Sequence, residues 1–255
     1  MPALGLATDL ALALDPVRLA EAAGYTCDPW QARALRSVSL RQLYNVTRQG
    51  GKSTVAAVSA AHTALYTPGA LVLMLSPSLR QSGELFKKAV GIYQALGRPI
   101  PAASETALSL TLANGSRIVS LPGTEATVRG YSAVQLLIVD EASRVADELY
   151  LSVRPMLAVS GGALVALSTP WGNRAWWYEA WRSEEPWERY EVPATDCPRI
   201  PGAFLEEERR SMGQWWYSQE YECRFMDAQD SVFCYDDILA ALSADVAPLF
   251  PRGTA

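Results

Sequence analysis

Histidine and cysteine are scarce in this chain. It has one histidine, His62, and four cysteines, Cys27, Cys197, Cys223 and Cys234, with no CxxC spacing. A structural zinc site needs a tighter ligand cluster than these residues offer. Four unclustered thiols fit a reducing compartment better than a disulfide framework. Long apolar runs are also missing, since nothing approaches the ~20 residues that cross a bilayer. No membrane partner is therefore expected. The mildly apolar N-terminus lacks the basic start of a secretory signal and reads as short helical segments, so an intracellular location is expected. A basic excess is absent as well: 22 Lys and Arg stand against 27 Asp and Glu, a net charge of −5. Charge alone thus gives no nucleic-acid signature, and a DNA partner would have to be met by a local patch.

What is present is a core. Hydrophobic residues make up 49% of the 255, enough for one large α/β domain. Strand and helix patterns alternate. Leu40–Thr47 reads as a strand and Ser53–Tyr66 as an Ala-rich helix. Ala70–Ser76, Leu136–Asp140 and Ala163–Ser168 are continuous apolar runs, as expected of strands buried on both faces. Ser78 is placed to cap a helix over Leu79–Leu96. Leu108–Leu112 and Arg117–Leu121 flank Asn114-Gly115, a hairpin turn signal. Further helices are expected at Asp147–Leu157, Arg174–Arg182 and Phe204–Arg224. This order predicts a mostly parallel sheet with helices on both faces. Residues 1–27 read as a helical extension, and 227–255 as a linker following a single domain over 1–226.

Val46-Thr47-Arg48-Gln49-Gly50-Gly51-Lys52-Ser53 joins a predicted strand to a predicted helix, the context a phosphate-binding loop requires. Gly50 and Gly51 let backbone N–H groups approach an anion, and the helix start adds its positive dipole end. Lys52 is the candidate for the β and γ oxygens and Ser53 for a magnesium ion, with Arg48, Gln49 and Thr54 beside them as nucleotide-binding candidates. Val46 stands where the usual G-x-x-x-x-G-K-[ST] pattern has its first glycine. On pattern alone, a Gly-rich turn before an amphipathic helix is the rival reading.

Leu136-Leu137-Ile138-Val139-Asp140-Glu141 runs four apolar residues into two carboxylates. Ligands bind at the carboxyl edge of open α/β sheets. There Asp140 would hold magnesium through water, and Glu141 would orient the attacking water. A strand ending in a solvated acidic turn is the alternative, but it does not account for the loop upstream. Together the two motifs predict an ATPase using ATP and Mg²⁺.

At these residues the chain resembles the large terminase subunit of tailed bacteriophages, in its N-terminal ATPase domain, over roughly Asp28 to Asp236. The loop form Thr47-Arg48-Gln49-Gly50-Gly51-Lys52-Ser53 is similar to the family's, which tolerates the missing first glycine and carries an arginine. Leu75-Ser76-Pro77-Ser78 with Gln81, Val128-Arg129-Gly130, Ser168-Thr169-Pro170-Trp171-Gly172 and Gln219–Phe225 follow in the family's order. The resemblance implies a RecA-like P-loop core with a C-terminal lid or linker segment. It also implies translocation of double-stranded viral DNA into a procapsid, by a homo-oligomeric ring on the portal, with a small terminase subunit as partner, in the host cytoplasm. A nuclease domain follows the motor in this family. No such pattern is seen here, so nuclease activity is not expected of these residues.

The same resemblance implies roles for particular residues. Arg129 would act in trans on a neighbour's γ-phosphate, a natural arrangement for a core with no second core to supply a finger. Arg48 would contact or sense the γ-phosphate, or instead hold the loop through a carboxylate. Gln31 would read the adenine edge, with Tyr25 or Trp30 stacked on the base. Ser168 and Thr169 would couple phosphate state to the rest of the domain. The tryptophans of the second half read as core or interface, and His62 as structural. Two rivals remain: a stand-alone helicase-like translocase and a nucleotide-dependent assembly switch. The first normally needs a second RecA-like core. The second does not need Glu141.

Overall fold

A computed structural model of the chain describes residues 5–123, 128, 130–227 and 241. Eight strands form one sheet: β1 (Arg41–Val46), β2 (Leu71–Ser76), β3 (Ala102–Glu105), β4 (Ser109–Leu112), β5 (Arg117–Pro122), β6 (Leu136–Asp140), β7 (Ala163–Ser168) and β8 (Glu188–Val192). Their spatial order is β3-β4-β5-β2-β6-β7-β1-β8. All neighbours from β5 to β8 run parallel, and the β3–β4 and β4–β5 pairs are antiparallel. The helices are α1 (Leu6–Leu14), α2 (Pro16–Ala22), α3 (Pro29–Arg36), α4 (Lys52–Tyr66), α5 (Leu79–Ala95), α6 (Asp147–Val153), α7 (Ala175–Arg182) and α8 (Gly202–Glu220).

Each apolar run divides its side chains between two cores, because successive strand residues point to opposite faces. On one face, Val72 and Met74 of β2, Ile138 of β6 and Val165 and Leu167 of β7 pack with α2, α3, α4 and α5. On the other, Leu73 and Leu75, Leu137 and Val139, and Leu164 and Ala166 pack with α6 and α7. Two covered faces explain why these strands read as unbroken apolar runs.

The expected strands and helices occur, with ends shifted by a few residues. Ser78 Oγ accepts a hydrogen bond from the Gln81 amide, capping α5. Gly115 sits at φ 83°, Asn114 Oδ1 accepts from the Ser116 amide, and Asn114 Nδ2 donates to Ala64 O at the end of α4. The hairpin signal is therefore met, and its turn is tied to the core. His62 is structural: Nε2 lies 3.0 Å from Ala13 O, fastening α1 to α4, and burial pushes its pKa down.

The expected helix from Phe204 to Arg224 differs. It starts at Gly202, ends at Glu220 and is broken at Gly213, whose φ of 77° is not helical. Likewise Asp147–Leu157 is an α-helix only to Val153 and finishes as a 3₁₀ turn through Pro155, since proline cannot donate to the ladder. Cys234 and the predicted linker lie outside the described residues apart from residues 227 and 241.

Two glycines give opposite expectations. A Cβ on Gly162 would lie 2.0 Å from the Val134 carbonyl oxygen, whereas one on Gly91, within α5, meets nothing. Gly162→Ala should cost about 1–3 kcal/mol. Gly91→Ala should add about 0.5–1 kcal/mol through helix propensity. Urea-unfolding midpoints of the two variants check both signs.

Candidate active site

The site begins where β1 ends. Thr47 donates its amide to Val192 O and its hydroxyl to Glu220 O. The chain then turns through Gln49 (φ 60°) and Gly51 (φ 87°) into α4. Among the described residues, the amides of Gly51, Lys52 and Ser53 donate to no acceptor. Three free N–H groups at a helix start form a ready cradle for an anion. Val46, in place of a first glycine, is buried. Its Cγ1 lies 2.5 Å from where a Gly50 Cβ would stand. The valine fits because Gly50 has no side chain.

Strand parity delivers the carboxylates. Asp140 follows Leu136 and Ile138 on the α4 face of β6. Simple alternation would send Glu141 to the opposite face. Its left-handed backbone, φ 48° and ψ 45°, breaks the alternation, a conformation uncommon outside glycine and concentrated at functional sites. Glu141 Oε1 consequently lies 3.7 Å from Lys52 Nζ.

Asp140 is buried, and its Oδ1 has no hydrogen-bond partner. Burial, then the neighbouring Glu141 charge, pushes its pKa up to about 6, against the opposing pull of Lys52. An orphaned carboxylate oxygen beside a second acid fits a divalent cation. Among the described residues no three His, Cys, Asp or Glu side chains cluster as metal ligands. That composition suits magnesium, which in nucleotide sites takes most of its shell from phosphate and water.

A cleft of about 910 Å³ spans Lys52, Ser53, Thr54, Arg48, Gln49 and Glu141, within the usual ~300–1,000 Å³ of cofactor pockets. A second cavity of about 450 Å³ adjoins it and reaches Asp140. The four central residues, Lys52, Ser53, Asp140 and Glu141, thus converge across one space.

The outer residues are placed less uniformly. Arg48 is engaged by Glu220, Nε to Oε2 at 2.6 Å, so in this state it holds the loop to the end of α8. Gln31 is buried, and both ends of its amide are used. Oε1 accepts from the Asp28 amide in a capping box, and Nε2 donates to Gly51 O at 3.3 Å. Trp30 is a core residue set edge-on to Tyr44 and does not reach the cleft. Tyr25 does line it. Ser168 Oγ lies 2.7 Å from Ser143 Oγ and accepts from the Ser143 amide, joining β7 to the turn after Glu141. Thr169 is buried beside it. Arg129 lies outside the described residues. Val128, next to it, is anchored in the core.

Sequence reasoning missed two cations at the cleft. Arg199 pairs with Asp28 at 2.7 Å and donates to Gly50 O at 3.4 Å. Arg144 borders the same cleft. Both come from loops with no periodic pattern. Of the basic residues on and just after α5, Lys87 pairs with Glu84 and Arg98 with Glu105, while Arg80 and Lys88 line the second cavity and Lys88 the first as well.

A raised carboxyl pKa predicts how stability depends on pH. The contribution of Asp140 is fully present below its unfolded value near 3.8 and is lost as pH rises through about 6. In metal-free protein, Asp140→Asn should raise Tm by several degrees at pH 7.5, at ~2–4 °C per kcal/mol. The difference should vanish near pH 4, as thermal melts across that range would record.

Comparison with known proteins agrees with this geometry. Residues 43–240 match the family described as terminase large subunit, T4likevirus-type, N-terminal. No curated protein matches the sequence. The ATPase domain of the Thermus phage P74-26 large terminase is similar in fold, with a TM-score of 0.72 and 23% identity, over 81% of this chain and 97% of that one. The large terminase of bacteriophage HK97 has a TM-score of 0.63 and 16% identity, over 79% of this chain and 51% of that one. One from a thermophilic bacteriophage, solved with ADP, has a TM-score of 0.63 and 13% identity over 78% and 54%. Against these last two, the chain spans about half the relative's length. The fold is the RecA-like core of these ATPase domains, and the chain belongs to the family of terminase large subunits, matched in its N-terminal region.

Proposed function

We propose that this chain is a magnesium-dependent ATPase whose turnover drives double-stranded viral DNA into a procapsid. One observation carries the reading: Lys52, Ser53, Asp140 and Glu141 meet across a cleft floored by unpaired loop amides. Lys52 and the amides of Gly51, Lys52 and Ser53 bind the β- and γ-phosphates. Ser53 and Asp140 hold the magnesium ion, which when bound neutralises phosphate charge. Glu141 then accepts a hydrogen bond from the attacking water and draws off its proton. Its left-handed backbone aims the carboxylate at that water. Arg48, Gln49 and Thr54 border the phosphates. Gln31 supports Gly51 from behind, and an adenine contact by its side chain would require release of its capping bonds.

Related structures are consistent with a nucleotide site, since the thermophilic phage enzyme was solved with ADP and with ATP-γ-S. The packaging assignment extends from family membership. Its further parts are a ring of identical subunits on the portal, a small terminase subunit as partner and action in the host cytoplasm. Ser168 and Thr169 would pass phosphate state from the turn after Glu141 into β7. In the described residues no helix is long and apolar enough to cross a membrane.

Arg129 is assigned to the neighbour's site, where it would offset transition-state charge. Such arginines are worth ~10³–10⁵ in rate. A mixing experiment tests the shared site. Glu141→Gln protein retains Arg129, and Arg129→Ala protein retains Glu141. Each alone should turn over at least ~100-fold slower than the parent. The mixture should recover turnover as concentration rises. Absence of recovery would leave a solitary enzyme as the better description.

A further inference from the structure

Arg144 ends the 3₁₀ turn Ala142–Arg144 that follows the acidic pair. It borders the phosphate cleft and is exposed. Every other arginine on that cleft has a carboxylate: Arg48 has Glu220 and Arg199 has Asp28. Lys52 faces Glu141. Among the described residues, no carboxylate pairs with Arg144 and no acceptor takes its side-chain N–H groups. What holds it is a ring. Its Cζ lies over Trp171, 3.8 Å from the ring centroid.

Of the arginine–ring contacts among the described residues, this one has the shortest separation. A long free side chain loses about 1.5–2 kcal/mol of rotamer entropy when fixed. Stacking on an indole offsets part of that loss and occupies only the π-face of the guanidinium. The five in-plane donors stay free, in a fork that matches phosphate oxygens. The fork stands three residues after Glu141, whose carbonyl accepts the Arg144 amide at 2.8 Å. It is thus fixed to the same turn as the residue beside the terminal phosphate.

We propose that Arg144 is a cis-acting sensor of the γ-phosphate: its guanidinium, preset on Trp171, binds the terminal phosphate of the nucleotide held by its own chain. The inference rests on the nucleotide reading above and adds a binding residue to that site. Trp171 directly continues the Ser168-Thr169-Pro170 segment, and its ring is 6.3 Å from that of Trp216 on α8. Capture or release of the phosphate by Arg144 therefore changes the load on a ring that touches the C-terminal helix. The Ser143–Ser168 bond ties the same turn to β7.

The test is the ratio of affinities for ATP-γ-S and ADP, measured by calorimetry with magnesium at concentrations low enough to keep the chain unassembled. One lost charge-assisted phosphate contact corresponds to about a ten- to hundredfold change. Arg144→Ala should weaken ATP-γ-S binding by that factor and change ADP binding by less than about twofold. Arg144→Lys, which keeps the charge but loses the flat stack, should restore part of the ratio. Trp171→Leu should fall between the parent and Arg144→Ala. Equal weakening of both nucleotides, or an unchanged ratio in Arg144→Ala and Arg144→Lys, would overturn the inference while leaving the ATPase reading intact. Failure of the parent chain to bind either nucleotide would overturn both. Because the effect is expected in dilute protein, it is separable from any contribution of Arg129 across a subunit boundary.

Discussion

A buried ammonium facing two adjacent carboxylates is the constraint around which this molecule is arranged. Lys52 is nearly inaccessible to water, and so is Asp140. Neither burial is tolerable without compensation, because desolvated charge is costly unless paired. The Lys52–Glu141 contact at 3.7 Å is a loose partnership. Asp140 Oδ1 has none. A polyanion on the lysine side and a cation on the acid side would together satisfy these groups, as the proposed function requires.

The sheet makes that conflict possible. Strand β7 lies between the strand that carries the loop and the strand that carries the acids, which spaces the two motifs across the carboxyl edge. Their distance is fixed by two backbone exceptions. Gly51 in the left-handed region starts α4 beneath the cleft, and Glu141 in the same region folds its carboxylate back over it. The rest of the chain braces these exceptions. Gln31 and Arg199 hold the carbonyls of Gly51 and Gly50. Thr47, Asn45 and Arg48 are fastened to residues 220–223. The end of α8 therefore rests on the phosphate loop itself.

Much of this was legible in the residues. Apolar runs ending in Ser76, Asp140 and Ser168 located the central strands, because both faces are buried and periodicity is replaced by continuity. The loop was legible despite Val46, since the strand-to-helix context and Gly50-Gly51-Lys52-Ser53 carry its chemistry. Other parts were hidden for physical reasons. Strand β8, Glu188–Val192, is an edge strand with charged residues between buried ones, and β3 is largely exposed. Helix α3 did leave a signal in Asp28-Pro29-Trp30-Gln31, a capping box with proline at its start. A capping reading accounts for Gln31 in this structure without invoking adenine. Arg199 and Arg144 were beyond reach, since each is placed by contacts with residues distant in sequence that no local pattern encodes.

The proposed mechanism separates phosphate binding from water activation: Lys52 and the loop amides would do the first, Glu141 the second. The most direct measurement compares ATP binding and single-turnover hydrolysis in Glu141→Gln protein with those of the parent. Binding should be as tight as in the parent or tighter, because the competing carboxylate charge on Lys52 is removed, while hydrolysis falls by ~10²–10⁴. Loss of binding in step with hydrolysis, or hydrolysis that persists near the parental rate, would contradict it.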